Sequence, residues 1–333
     1  MSPDTNRDWN GARLAGRKAA GVYESYFQRA NHPTRPLAFW IRYTAFSPAR
    51  HPEQARGELW AIYFDGETHA IVATKQSAPL AGCRFSPAGL DVTIGDATLT
   101  TGALRGAASS PSHTVEWSLS YSAPQPPLLL FPEPWYERGL PKAKVLVGAP
   151  GATFHGTLTV DGRAIAADGW RGSQNHNWGP RHTDRYAWGQ VAGFDNAPDA
   201  FLECSTAQVN VGPIWTPRLT LIVLRLDGEE FALNSPWQAL RAAGRYHQFK
   251  WTFDSRSRDV RISGTISAEA RAFVGLTYQN PPGGTKTCLN SKIARAEISV
   301  TRPGREPRLL VTKDRAAFEL LTDRIDHGVP VVS

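Results

Sequence analysis

The sequence predicts an all-β protein made of two antiparallel β-barrels or sandwiches packed side by side, and three observations carry that expectation. Apolar and polar residues alternate in short runs over most of the chain. Gly, Pro, Asn and Asp interrupt those runs at intervals suited to hairpins. Stretches with helical composition are short and few, at 1–20, 236–243 and 315–323.

In the first half the alternation places strands at 22–29, 36–46, 57–64, 69–75, 90–99 and 114–121, with Asp65-Gly66 as a hairpin turn. The proline-rich stretch 124–134, around Leu128-Leu129-Leu130-Phe131, cannot be a central strand because proline removes ladder donors. It reads as a crossing segment that covers a barrel end, in preference to a flap over a pocket or a membrane contact. Extended runs at 143–147, 153–160 and 169–178 follow, with a turn at Asp161-Gly162. A second set occupies 186–194, 201–211, 218–226, 247–253, 259–268, 273–278 and 293–300, with 195–200 and 227–230 as loops. Two groups of strands divide the chain into a domain of 1–182 and a lipocalin-like domain of 183–333. No short repeat is visible, which argues against propellers and solenoids.

With 333 residues, 41% hydrophobic and 20% charged, the chain can bury a large core without a disulfide or metal. Cys83, Cys204 and Cys288 are odd in number and far apart, so they suggest neither a disulfide framework nor a zinc site. A reducing compartment fits. Residues 1–20 are polar and basic without the apolar core of an export signal, so a cytoplasmic location is expected. The net charge of +7 comes from scattered residues with short groupings at 13–18 and 256–261. No nucleic-acid module is present, so no nucleic-acid partner is expected, while contact with a membrane surface stays open. Hydrolase and nucleotide-binding motifs are absent, and His176, His182 and Asp184 match no usual metal spacing. Neither metal nor organic cofactor is expected.

The chemistry concentrates in 169–179 and 184–190, which hold amides, an imidazole, a guanidinium and three indoles. Such groups need partners when buried, which points to a pocket wall. If extended, the first stretch presents Gln174, His176 and Trp178 on one face and Ser173, Asn175 and Asn177 on the other. Trp40, Trp60, Trp117 and Trp251 lie in alternating strands and read as core. Glu203 interrupts Phe201-Leu202-Glu203-Cys204-Ser205, where desolvation would raise its pKa and keep it a proton donor at neutral pH. The titratable candidates are therefore His176, Glu203 and Asp184. Glu203 would be the acid, with His176 its partner or a water-orienting group. Trp178, Tyr186 and Trp188 would face a developing cation, and Gln174 and Asn177 would fix hydrogen bonds.

Tyr23-Glu24-Ser25-Tyr26-Phe27, Ala38-Phe39-Trp40-Ile41-Arg42-Tyr43-Thr44, Gly57-Glu58-Leu59-Trp60, Asn175-His176-Asn177-Trp178-Gly179 and Trp188-Gly189-Gln190 carry a family resemblance. They resemble the carotenoid 1,2-hydratase (hydroxyneurosporene synthase) and AttH-like superfamily, related to tocopherol cyclase. The resemblance implies two lipocalin-like domains, a hydrophobic pocket near their junction, and no cofactor. It also implies a catalytic His-x-Trp pair, matched by His176 and Trp178, and a later aromatic-x-acid pair. Phe201 and Glu203 stand at the latter, with Phe for Tyr and Glu for Asp.

The function expected is that of a hydratase or cyclase-like enzyme protonating a double bond of an isoprenoid or polyene substrate, with water or an internal nucleophile capturing the cation. Two alternatives are cofactor-free templating of an intramolecular cycloaddition and a lipocalin-like carrier that releases its hydrophobic ligand unchanged.

Overall fold

The computed structural model describes residues 8–13 and 21–332, almost wholly as strands, with Pro236–Arg241 the one α-helix among the described residues. A sheet of 13 strands runs from Val22–Asn31 to Trp170–Gly179, and one of 11 from Arg185–Phe194 to Val331–Val332. Pairing within them is antiparallel except between Val274–Gln279 and Val331–Val332. The chain passes from one sheet to the other between Gly179 and Arg185.

Each sheet brings a late strand back beside its first. Val22–Asn31 lies between Leu37–Ser47 and Trp170–Gly179, and Arg185–Phe194 lies between Ala197–Gln208 and Arg308–Thr322. Turn chemistry closes the hairpins locally. Asp65 accepts the backbone N–H groups of Glu67 and Thr68 at 3.0 and 3.1 Å, and Asp161-Gly162 takes the positive φ pair of 50° and 81° that suits a tight hairpin.

Leu37–Ser47 is buried at every residue. Leu37, Phe39, Ile41, Tyr43 and Ala45 enter the core enclosed by the first sheet. Ala38 and Trp40 face outward, against Trp188, Leu276, Tyr278 and Leu321 of the second sheet. Alternation here separates two apolar environments rather than core from water. On the other partner, Leu202 and Cys204 enter the second core while Phe201 packs in the seam with Leu128, Leu130, Val147, Ala192 and Val223. The proline-rich crossing, expected to cover a barrel end, instead lies between the sheets, because Leu128 and Leu130 find apolar partners on both. A large apolar side chain buried in this way stabilises by roughly 1.5–3 kcal/mol, so these contacts help hold the two sheets together.

Three expectations need correction or restriction. The stretch 315–323, read as a helix, belongs to the strand Arg308–Thr322. Its Ala, Leu and Glu favour a helix, yet Ala316, Phe318 and Leu320 enter the second core while Ala317 and Leu321 meet the first sheet, and pairing on both edges outweighs propensity. The run 90–99 is two strands, Asp91–Ile94 and Ala97–Thr100, because Gly95 turns at a φ of 56°. Of the helix expected over 1–20, residues 1–7 and 14–20 lie outside the described residues, and 8–13 form turns and bends. The helix near 236–243 is present as Pro236–Arg241.

Candidate functional site

Trp170–Gly179 is the wall between the first core and the seam, and its alternation sorts the polar groups into two clusters. On the core side, His176 stacks on Tyr26 with ring centroids 4.2 Å apart and lies 4.5 Å from Trp178. Its Nδ1 is 3.1 Å from the carbonyl oxygen of Trp9. A carbonyl can only accept, so Nδ1 carries a hydrogen. Its Nε2 is 2.8 Å from Glu24 Oε1, which also accepts the Arg13 N–H at 2.7 Å. One proton therefore bridges His176 and Glu24.

The segment 8–13 lies over this cluster. Tyr26 donates its hydroxyl to the Asn10 carbonyl at 2.9 Å, and Ala12 N–H donates to Ser86 at 2.8 Å. Gln174 shares the His176 face and donates to the Asn175 carbonyl at 3.0 Å. Gly148 makes room here, since a Cβ on it would stand 2.3 Å from Gln174 Oε1 and 2.4 Å from Asn10 Oδ1.

On the seam side the hub is Gln190. Its amide nitrogen donates to Asn175 Oδ1 and to Glu203 Oε2, each at 2.8 Å. Its amide oxygen accepts from Ser173 Oγ at 2.6 Å and from Arg29 Nε at 2.8 Å. Trp188 completes the carboxylate's surroundings, donating Nε1–H to Glu203 Oε1 at 2.7 Å. Arg29, Gln190 and Glu203 are each 0% exposed. Burial pushes the Glu203 carboxyl up to about 7, against the opposing pull of the Trp188 and Gln190 hydrogen bonds and the Arg29 charge. Burial likewise brings the Arg29 guanidinium down to about 9.

Beyond the Trp188 ring lies Lys292, its Nζ 5.5 Å from that ring and 5.7 Å from the ring of Trp40. The ammonium donates to Glu319 Oε1 at 2.8 Å and Asn290 Oδ1 at 2.6 Å. Burial lowers its pKa, while Glu319 opposes the shift. Tyr186 borders the same seam, its hydroxyl 3.9 Å from Cys288 Sγ.

The structure therefore joins Glu203 to Trp188, with Tyr186 further along the seam, and joins His176 to Trp178 and Gln174. It does not join His176 to Glu203, because adjacent residues of one strand point to opposite faces and Asn175, not His176, looks toward the acid. Asn177 shares the seam face and pairs in register with Ser25. Asp184 belongs to neither cluster. It accepts from the Arg181 guanidinium and, at 2.9 Å, from the Asn210 backbone N–H. His182 stacks on Tyr23 at 4.0 Å, and burial with the Arg42 charge brings its pKa down to about 3. Glu24, Arg29, Lys292 and Glu319 were missed from sequence. Glu24 carried the signal that singled out Glu203, a carboxylate inside an otherwise buried run, whereas the burial of Lys292 depends on how the sheets meet.

Two strand-built units sharing a polar seam define an all-β protein of two packed, lipocalin-like antiparallel sheets. No family model matches the chain. It is similar to two proteins named as uncharacterized from two strains of Mycobacterium tuberculosis, at 26% identity over 301 residues, covering 89% of this chain and 86% of theirs. Among solved structures it resembles a protein assigned as AttH from Nitrosomonas europaea, with a TM-score of 0.60 and 13% identity over 97% of this chain and 98% of that one. It also resembles kievitone hydratase from Nectria haematococca, with a TM-score of 0.56 and 13% identity over 96% of this chain and 95% of that one. At these identities the structural likeness shows the fold.

Proposed function

We propose that this chain is a hydratase-type enzyme, a hydro-lyase, acting on a carbon–carbon double bond of an apolar isoprenoid or polyene substrate. The observation that carries the reading is Glu203, a carboxyl buried in the seam, fixed by an indole and an amide, with its pKa brought near neutrality. An acid tuned in this way is populated in its donor form at neutral pH and can be regenerated there. In the step proposed, the π pair of the alkene takes the Glu203 proton as a new C–H bond, and water adds to the other carbon. The proton released by that water returns to the carboxylate. Trp188 would orient the acid and offer its ring to the substrate, while Glu319 offsets the nearby Lys292 charge. The likeness to kievitone hydratase, together with the His-Asn-Trp-Gly motif, supports this reaction class.

The test is incubation of the purified protein in D₂O with prenyl, carotenoid and polyene alkenes, followed by mass spectrometry for carbon-bound deuterium. Label is expected, and Glu203→Gln should lower its rate by about 10²–10⁴-fold. Since the donor is the protonated form, activity should hold below about pH 7 and decline above it. Label that survives Glu203→Gln but vanishes in a folded His176→Gln variant would move the acid to the His176–Glu24 pair and overturn the assignment.

A further inference from the structure

The second sheet carries a surface feature that the seam chemistry does not use. Pro236–Arg241 is a single helical turn held by a capping box between Ser235 and Gln238, with Pro236 at its start. Its buried residue is Ala239, while Trp237 and Leu240 stand 69% and 45% exposed. Trp237, Leu240 and Arg241 follow the spacing that places side chains on one helical face. Trp237 and Leu240 are thus the large exposed apolar side chains of this helix.

Beside this face runs a groove of about 830 Å³, lined by Trp237, Arg241, Arg256, Arg258 and Arg261 among others. The hairpin formed by Lys250–Arg256 and Arg261–Ser267 supplies three of those arginines. Arg261 is bound to Asp254. Arg241, Arg256 and Arg258 are exposed and have no carboxylate partner among the described residues. The Ser255 hydroxyl, also at the groove, is buried without a protein partner among them.

We propose that this face docks the protein onto a bilayer containing anionic phospholipid. The arginines bind headgroup phosphates, and Trp237 and Leu240 enter the interfacial layer beneath them. Charge complementarity selects the anion, and the adjacent apolar pair selects a membrane over a nucleic acid, which offers phosphates without an apolar layer to enter. A net charge of +7 aids the encounter.

The full chain is tested by co-sedimentation with phosphatidylcholine vesicles, with and without phosphatidylglycerol, alongside a short DNA duplex. Wild type should bind only the anionic vesicles, with an affinity that falls as salt rises. A basic residue near such a surface is worth roughly fivefold in binding, so the triple change Arg241→Gln, Arg256→Gln and Arg258→Gln should weaken it by on the order of a hundredfold. Trp237→Ser with Leu240→Ser should also release it while leaving the melting temperature unchanged, since both side chains are exposed. No wild-type binding, equal binding to neutral vesicles, or variants that bind as wild type would overturn the proposal. So would duplex binding that is indifferent to Trp237 and Leu240, which would mark a polyanion site instead.

Discussion

Glu24 and Glu203 are carboxylates of equal chain length, 1% and 0% exposed, set on opposite sides of the wall formed by Trp170–Gly179. Glu24 meets an imidazole and a backbone N–H, so a proton bridges it to His176 and the pair acts as one unit. Glu203 meets an indole and an amide, neutral donors that favour the carboxylate without outweighing burial, and its cation Arg29 hydrogen-bonds to Gln190 and not to the carboxylate. Burial of a carboxylate therefore does not by itself define its chemistry. The charge and reach of the nearest donors decide whether the acid is locked in a pair or poised to titrate.

The largest effect that separates the two is on turnover. Glu203→Gln should cost about 10²–10⁴-fold in deuterium incorporation, and His176→Gln in folded protein far less. Equal losses would erase the distinction drawn between the two sides of the wall.

Stability should rank them in the other order. His176→Ala takes the imidazole from a buried carboxylate and should cost roughly 3–5 kcal/mol by urea unfolding. A cost under about 1 kcal/mol would mean that the pair is not the locked unit described.

A pH series sharpens the comparison further. The folded Glu203, with its pKa raised to about 7, holds a proton that the unfolded chain releases near 4.5, so stability declines as pH rises through that window. The decline amounts to on the order of 3 kcal/mol and should be missing from Glu203→Gln. His182 acts with the opposite sign. Its folded pKa of about 3 means that the unfolded chain takes up a proton first as pH falls below about 6.5, so stability is lost toward acid. A His182→Phe variant should flatten that acid limb and leave the Glu203 limb in place.

The smallest effect expected is at the hub. Ser173→Ala removes one of the two donors to the Gln190 amide oxygen and should cost about 1 kcal/mol, because Arg29 continues to satisfy that oxygen. A loss of several kcal/mol would show that the seam network stands or falls as a whole.

Much of the fold was legible in period and punctuation. The strands around the motif, the turns at Asp65-Gly66 and Asp161-Gly162 and the short helix all follow from local rules. The burial of Glu203 was legible too, since it interrupts an apolar run and a buried carboxylate has to be either partnered or neutralised. The same alternation in Ala316 to Leu321 was outvoted by helical composition, and the strand emerged only through its pairing partners.

The sequence by itself determined that Gln174 and His176 would point one way and Asn175 the other, because side chains in a strand alternate with period two. Only the tertiary structure decided which face met which neighbour. Period-two alternation carries no information about what lies beyond the wall, and that was supplied by two long-range events. Val22–Asn31 docked beside Trp170–Gly179, bringing Glu24 to His176, and the second sheet settled against the first, bringing Gln190 and Glu203 to Asn175.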